Sequence, residues 1–148
     1  MGLEKSAPFI LSVLLTLVGV YVSIPFPSNS DSLSLFGAAA TVASVFASFL
    51  GVCKAIILTI KDGPVWIALR ESGYSDLLFS YLASGIRSAV LFAGLSIAGF
   101  FILPLPSSEI YFGLTWTGLF KILWVWSGFF ALLTYVRVGS IFFKLLKQ

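Results

Sequence analysis

Between Leu33 and Cys53, and again between Ser88 and Leu103, the chain carries no charged residue. Two more apolar stretches run from Pro8 to Ile24 and from about Phe112 to Val136, the last interrupted only by Lys121. Stretches of this kind decide the fold class, because about 20 apolar residues in a helix cross the ~30 Å hydrocarbon core of a bilayer. A helix satisfies all its backbone hydrogen bonds internally, whereas an open sheet edge in lipid does not. No strand alternation competes with this reading. The sequence therefore predicts an all-α membrane protein with four transmembrane helices over about 8–24, 33–60, 86–103 and 112–136. A loop over 61–85 and a helical tail over 137–148 are expected in the cytoplasm.

Composition agrees. Hydrophobic residues make up 59% of the 148 and charged residues 10%, against about 45–50% and about 25% in soluble domains. A soluble domain of this size would lack the polar side chains to cover such a core. The net charge of +3 is spread along the chain without a basic patch, so no direct nucleic acid contact is expected.

Proline pairs close the first and third runs, at Pro25-Phe26-Pro27 and Pro104-Leu105-Pro106, because the ring lacks the amide hydrogen a helix needs. Ser23-Ile24-Pro25 departs from a small-x-small cleavage pattern, so the first run is read as an uncleaved span. The connecting loops then fix the orientation. Residues 25–32 and 104–110 contain no Lys or Arg. Lys5, the middle-loop Lys61, Arg70 and Arg87, and the C-terminal Arg137, Lys144 and Lys147 lie on the other side. By the positive-inside rule this arrangement is N-in/C-in, multi-pass in the cell membrane.

The middle loop opens with the turn signal Asp62-Gly63-Pro64, and residues 65–71 have the makings of a short interfacial helix anchored by Trp66. After Ser72-Gly73-Tyr74, Ser75 suits a helix N-cap and Asp76 the first turn. Asp76, Ser80, Ser84 and Arg87 then share one helical face. Arg137, Ser140, Lys144 and Lys147 share another at the C-terminus. Spans three and four are thus expected to extend into the cytoplasm, where Glu71, Asp76, Arg87, Arg137, Lys144 and Lys147 are candidates for contact with a partner or with lipid headgroups.

Small residues four apart, Ala39, Ala43, Ala47 and Gly51, let helices approach closely. They serve self-association, line a pore, or pack against the other helices of the same chain. Lys121, placed about 13 Å along a helix starting at Phe112, is the one charge well inside a span. It either snorkels outward or serves a pore.

Nothing suggests catalysis. There are three Asp, three Glu, one Cys and no His, no glycine-rich phosphate loop, and no donor set for a metal or cofactor. A proton-coupled small multidrug exporter has this size and helix number, but that family works through a glutamate in its first span, and this first run holds no carboxylate.

The segment from Leu69 to Leu78 (Leu-Arg-Glu-Ser-Gly-Tyr-Ser-Asp-Leu-Leu), leading straight into a span, resembles loops in small four-helix membrane proteins of bacterial defence loci. The membrane subunit of the Kiwa antiphage system is similar in topology. The resemblance implies a homo-oligomeric sensor in a bacterial inner membrane that works with a cytoplasmic protein partner in antiviral defence, and it carries no site residue across. The expectation is a non-enzymatic component of that kind, with membrane lipids and a second copy as its other partners. The alternative is a stand-alone small ion channel or transporter subunit.

Overall fold

A computed structural model describes residues 2–22, 29–59, 67, 74–103, 109–111 and 114–146. Four helices and one small hairpin account for nearly all of them: α1 (Gly2–Tyr21), α2 (Asn29–Thr59), α3 (Tyr74–Ile102), β1 (Glu109–Tyr111), β2 (Leu114–Thr115) and α4 (Trp116–Leu146). Three helices are long and apolar enough to cross a membrane, over Asp31–Thr59, Leu78–Ile102 and Trp116–Ile141. The apolar part of α1, Ser6–Tyr21, is shorter and rises only about 24 Å.

The distribution of side chains is that of a protein whose solvent is lipid. Leu17, Val45, Val90, Phe101 and Val136 stand more than half exposed, while Ser12, Ser32, Ser96 and Ser127 are sealed inside. In water so much exposed apolar surface would drive association; in hydrocarbon it costs nothing. The buried hydroxyls obey the rule that buried polar groups find partners. Ser96 Oγ donates to the Phe92 carbonyl, Ser127 Oγ to that of Trp124, and Thr16 Oγ1 to that of Ser12, each at 2.8 Å.

Burial along α2, α3 and α4 follows one rhythm. On α2 the inward positions are Ser32, Phe36, Ala39, Ala43, Phe46, Leu50 and Cys53. On α3 they are Ser75, Leu78, Leu82, Gly85, Ala89, Phe92, Ser96, Gly99 and Leu103, and on α4 Phe120, Trp124, Ser127, Ala131, Thr134 and Val138. The spacing alternates between three and four, the seam of a left-handed coiled coil. Ser88 is the one buried residue of these helices off that seam among the described side chains.

Two clusters close the ends of this core. Phe36, Leu103, Phe120 and Trp124 fill one; Leu50, Cys53, Leu78, Leu82 and Val138 fill the other. Between them the waist is narrow, with Ala43, Ala89 and Ala131 each 2% exposed or less. α2 packs along α3, α3 along α4, and α1 along α4. Among the described residues α1 makes no other extensive helix contact, so the closest backbone neighbours follow the row α2, α3, α4, α1, while α2 also reaches α4 through Phe36 against Trp124 and Phe46 stacked on Tyr135.

Several details differ from the sequence reading. α1 starts well before Pro8, which lies inside it. The fourth helix starts at Trp116, about one turn after Phe112, because Glu109–Thr115 makes a hairpin with Glu109 opposite Thr115. Thr115 then caps α4: its Oγ1 accepts the amide hydrogen of Gly118 at 3.1 Å, the third-residue pattern of a helix N-cap. α3 begins at Tyr74, one residue ahead of the expected Ser75 cap, and α3 and α4 run past their apolar stretches, to Tyr74 and Leu146. Of the expected interfacial helix over 65–71 only Ile67 is described, helical and half exposed; the proline pairs lie outside the described residues.

Candidate functional site

The small-residue row of α2 is split by the packing. Ala43 is fully buried inside the chain, Ala39 and Ala47 are half-buried, and Gly51 has open space where a Cβ would stand. The close approach of α2 to α3 depends instead on two α3 glycines. A Cβ on Gly99 would meet the Phe36 ring at 2.9 Å, and one on Gly85 would meet Leu50 Cδ1 at 2.8 Å. Phe36 also sets its ring edge-on to Trp124, with centroids 4.9 Å apart. The aromatic rings thus sit in notches on the neighbouring helix, a fit that residue spacing alone does not reveal.

Lys121 is half-buried and lies five residues into α4. That is about 7.5 Å of rise rather than the 13 Å expected from a start at Phe112. The later helix start brings the ammonium within easy reach of the membrane surface along its own flexible stem.

At the opposite end, Arg137 of α4 is tied to α3. Its Nη2 donates to the Tyr81 hydroxyl at 2.9 Å, and the guanidinium carbon lies 4.3 Å from the centre of the same ring. Cation and ring attract through the ring quadrupole, so the pair clamps α3 to α4 where their ends leave the apolar layer. Tyr81 was not among the expected site residues; an aromatic ring near the start of the apolar stretch of α3 was the available signal. Of the other expected cytoplasmic contacts, Asp76 is exposed in the first turn of α3. Glu71 and Lys147 lie outside the described residues, as does the side chain of Lys144.

Arg87 is exposed on α3 but does not project into open surroundings. It lines a cleft of about 530 Å³ together with Ser80, Ser84, Ser88, Trp126 and Phe130. Two walls of the cleft are cross-braced. Ser88 Oγ lies 3.5 Å from Thr134 Oγ1 and donates to the Gly85 carbonyl at 2.9 Å. Trp126 and Phe130 stack with planes 12° apart, and Phe9 of α1 meets both edge-on. Trp126 Nε1 is buried and without an acceptor among the described residues, an arrangement that costs roughly 1–3 kcal/mol. Trp124, two residues away, has its own indole hydrogen satisfied by Ser96 Oγ at 2.9 Å.

The cleft combines a cation, three hydroxyls and aromatic walls within the stretch of α3 suited to lipid. Such an arrangement can hold an anion attached to an apolar body; it holds no nucleophile–base pair. Among the described residues no group of three His, Cys, Asp or Glu gathers to hold a metal. No family model matches the chain, and no curated protein or solved structure matches it either.

Proposed function

We propose that the chain is a four-span, non-enzymatic component of a bacterial inner membrane, with both termini in the cytoplasm. It assembles with copies of itself and passes a signal to a cytoplasmic protein partner, the role implied by its resemblance to membrane subunits of antiphage defence. An even number of spans is supported by the placement of α1. Ala7 and Pro8, near its start, line one cleft with Leu133 and Arg137 of the second half of α4, which supports an antiparallel pairing of α1 with α4. The loops free of Lys and Arg support the cytoplasmic side for both termini.

The observation that carries this reading over a stand-alone channel is the filled waist. Ala43, Ala89 and Ala131 are packed to near-complete burial at the middle of the α2–α4 core. Buried Ser96, Ser127 and Thr134 spend their hydroxyl hydrogens on carbonyls of their own helices. A path for ions would have to form between copies.

Flux of potassium and chloride through vesicles containing only the purified chain is therefore expected to equal that of empty vesicles. Flux from the chain alone would select the channel reading. Reversing Glu71 and Asp76 to lysine strengthens attraction to anionic lipid but should abolish signalling to a docked partner. Full cellular function in that double variant, with normal insertion, would remove the partner from this loop.

A further inference from the structure

The cleft beside Arg87 places a cation within the stretch of α3 that is apolar enough to cross a membrane. Arg87 makes no ion pair with any described carboxylate. Six residues separate it from Tyr81, the ring that receives Arg137 at the edge of the apolar layer. Those six residues are about 9 Å of rise along α3, and Arg87 lies inside the stretch Leu78–Ile102 that is long and apolar enough to cross a membrane. An arginine at such depth is costly unless it meets a counter-charge or reaches polar surroundings.

The cleft's shape indicates what meets it. Ser80 and Ser84 lie toward the start of α3, two turns and one turn from Arg87, while Leu91, Trp126 and Phe130 continue the lining as apolar wall. The same wall includes Trp126, whose indole nitrogen is buried and has no acceptor among the described residues. A soluble anion would satisfy the polar lining and leave the apolar wall unused.

We infer that this cleft binds one anionic phospholipid of the leaflet nearest the start of α3, its phosphate on Arg87 and the serine hydroxyls and an acyl chain along Leu91 and Phe130. Guanidinium and phosphate match as planar donor fork and oxygen acceptors. The three sides of the site come from different places in the chain, because Phe9 of α1 backs the aromatic rings. The inference rests on the chain spanning the membrane.

Trp126 supplies the probe. In phosphatidylcholine vesicles containing a minor fraction of lipid brominated on its acyl chain, tryptophan emission reports which lipid lies against the indole. Brominated phosphatidylglycerol is expected to quench as though enriched about fivefold over brominated phosphatidylcholine. The excess should vanish in Trp126→Phe, which locates it, and in Arg87→Gln, which removes the charge. Ser84→Leu, which fills the cleft and keeps the arginine, should also remove it, and this variant serves if Arg87→Gln fails to insert. Equal quenching by the two lipids in the wild type, or an excess that survives Arg87→Gln or Ser84→Leu, would overturn the site. Displacement of the excess by inorganic phosphate would overturn its assignment to lipid. Release of the wild-type chain from membranes by alkaline carbonate would instead defeat the membrane reading itself.

Discussion

The two helices at the ends of the row are held by different means. α2 lies against α3 through notches: the Phe36 ring over Gly99 and Leu50 over Gly85, repeated along a three–four seam. α1 lies against α4 through its buried Ser12 and Thr16 and through aromatic edges, with Phe9 meeting Trp126 at 5.8 Å and Phe130 at 6.4 Å between centroids, and Phe9 itself is half exposed. Where lipid surrounds the helices, close packing is the main force between them. The notched pair is therefore the rigid part of the molecule and the edge-held pair the adjustable part.

The largest effect is expected at the notch. Gly99→Leu puts a side chain where the fully buried Phe36 ring stands, and such overpacking costs about 1–3 kcal/mol. Thermal unfolding in detergent should show a clear drop in midpoint, while Gly94→Ala on the same helix, with nothing within 4 Å of the added carbon, should show none. If both variants unfold at the wild-type temperature, the α2–α3 notches do not hold the pair.

A smaller effect is expected at the edge contacts. Phe9→Ala removes two ring contacts worth about 0.5–1.5 kcal/mol each. In a Cys53→Ala background, Ser12→Cys, buried under α1 in the wild type, should then react faster with a maleimide. An unchanged rate would mean that α1 is fixed by something other than Phe9, and the contrast between the two outer helices would fail.

The smallest effect belongs to the bond between Trp124 and Ser96, which joins α3 to α4. Interhelical hydrogen bonds in membranes contribute about 0.6 kcal/mol on average. Ser96→Ala should lower stability by about that amount, and more than Ser127→Ala, whose hydroxyl serves only its own helix. Equal losses would show that the interhelical bond adds nothing.

Much of this was legible in the sequence. Long uncharged runs announce helices for lipid, and Asp76, Ser80, Ser84 and Arg87 on one face announced that α3 starts before its apolar stretch. The four-apart rows of alanine were visible too. The three–four seam that governs burial was not, because large, small and polar residues share it: Phe36, Ala43 and Leu50 occupy equivalent places. Hydropathy also hid the start of α4. Phe112 and Leu114 read as the start of an apolar helix, and the β1–β2 pairing with the Thr115 cap moves that start to Trp116, which displaced Lys121 in the sequence reading. The cleft was half legible. Its α3 side was the predicted polar face, whereas Trp126 and Phe130 are interchangeable with any lipid-facing aromatics until α4 is set beside α3.

The position of α1 at the far end of the row also sets an order of assembly. α2 and α3 are consecutive and can pair as soon as both have entered the bilayer. α1 leaves the ribosome first, yet its neighbour α4 comes last, with residues 22–115 made in between. At ordinary rates of synthesis that is roughly 5–20 s, during which α1, on the proposed four-span reading, waits in the bilayer as a single helix. The growing chain passes through a stage in which the notched pair is formed and α1 is still unattached.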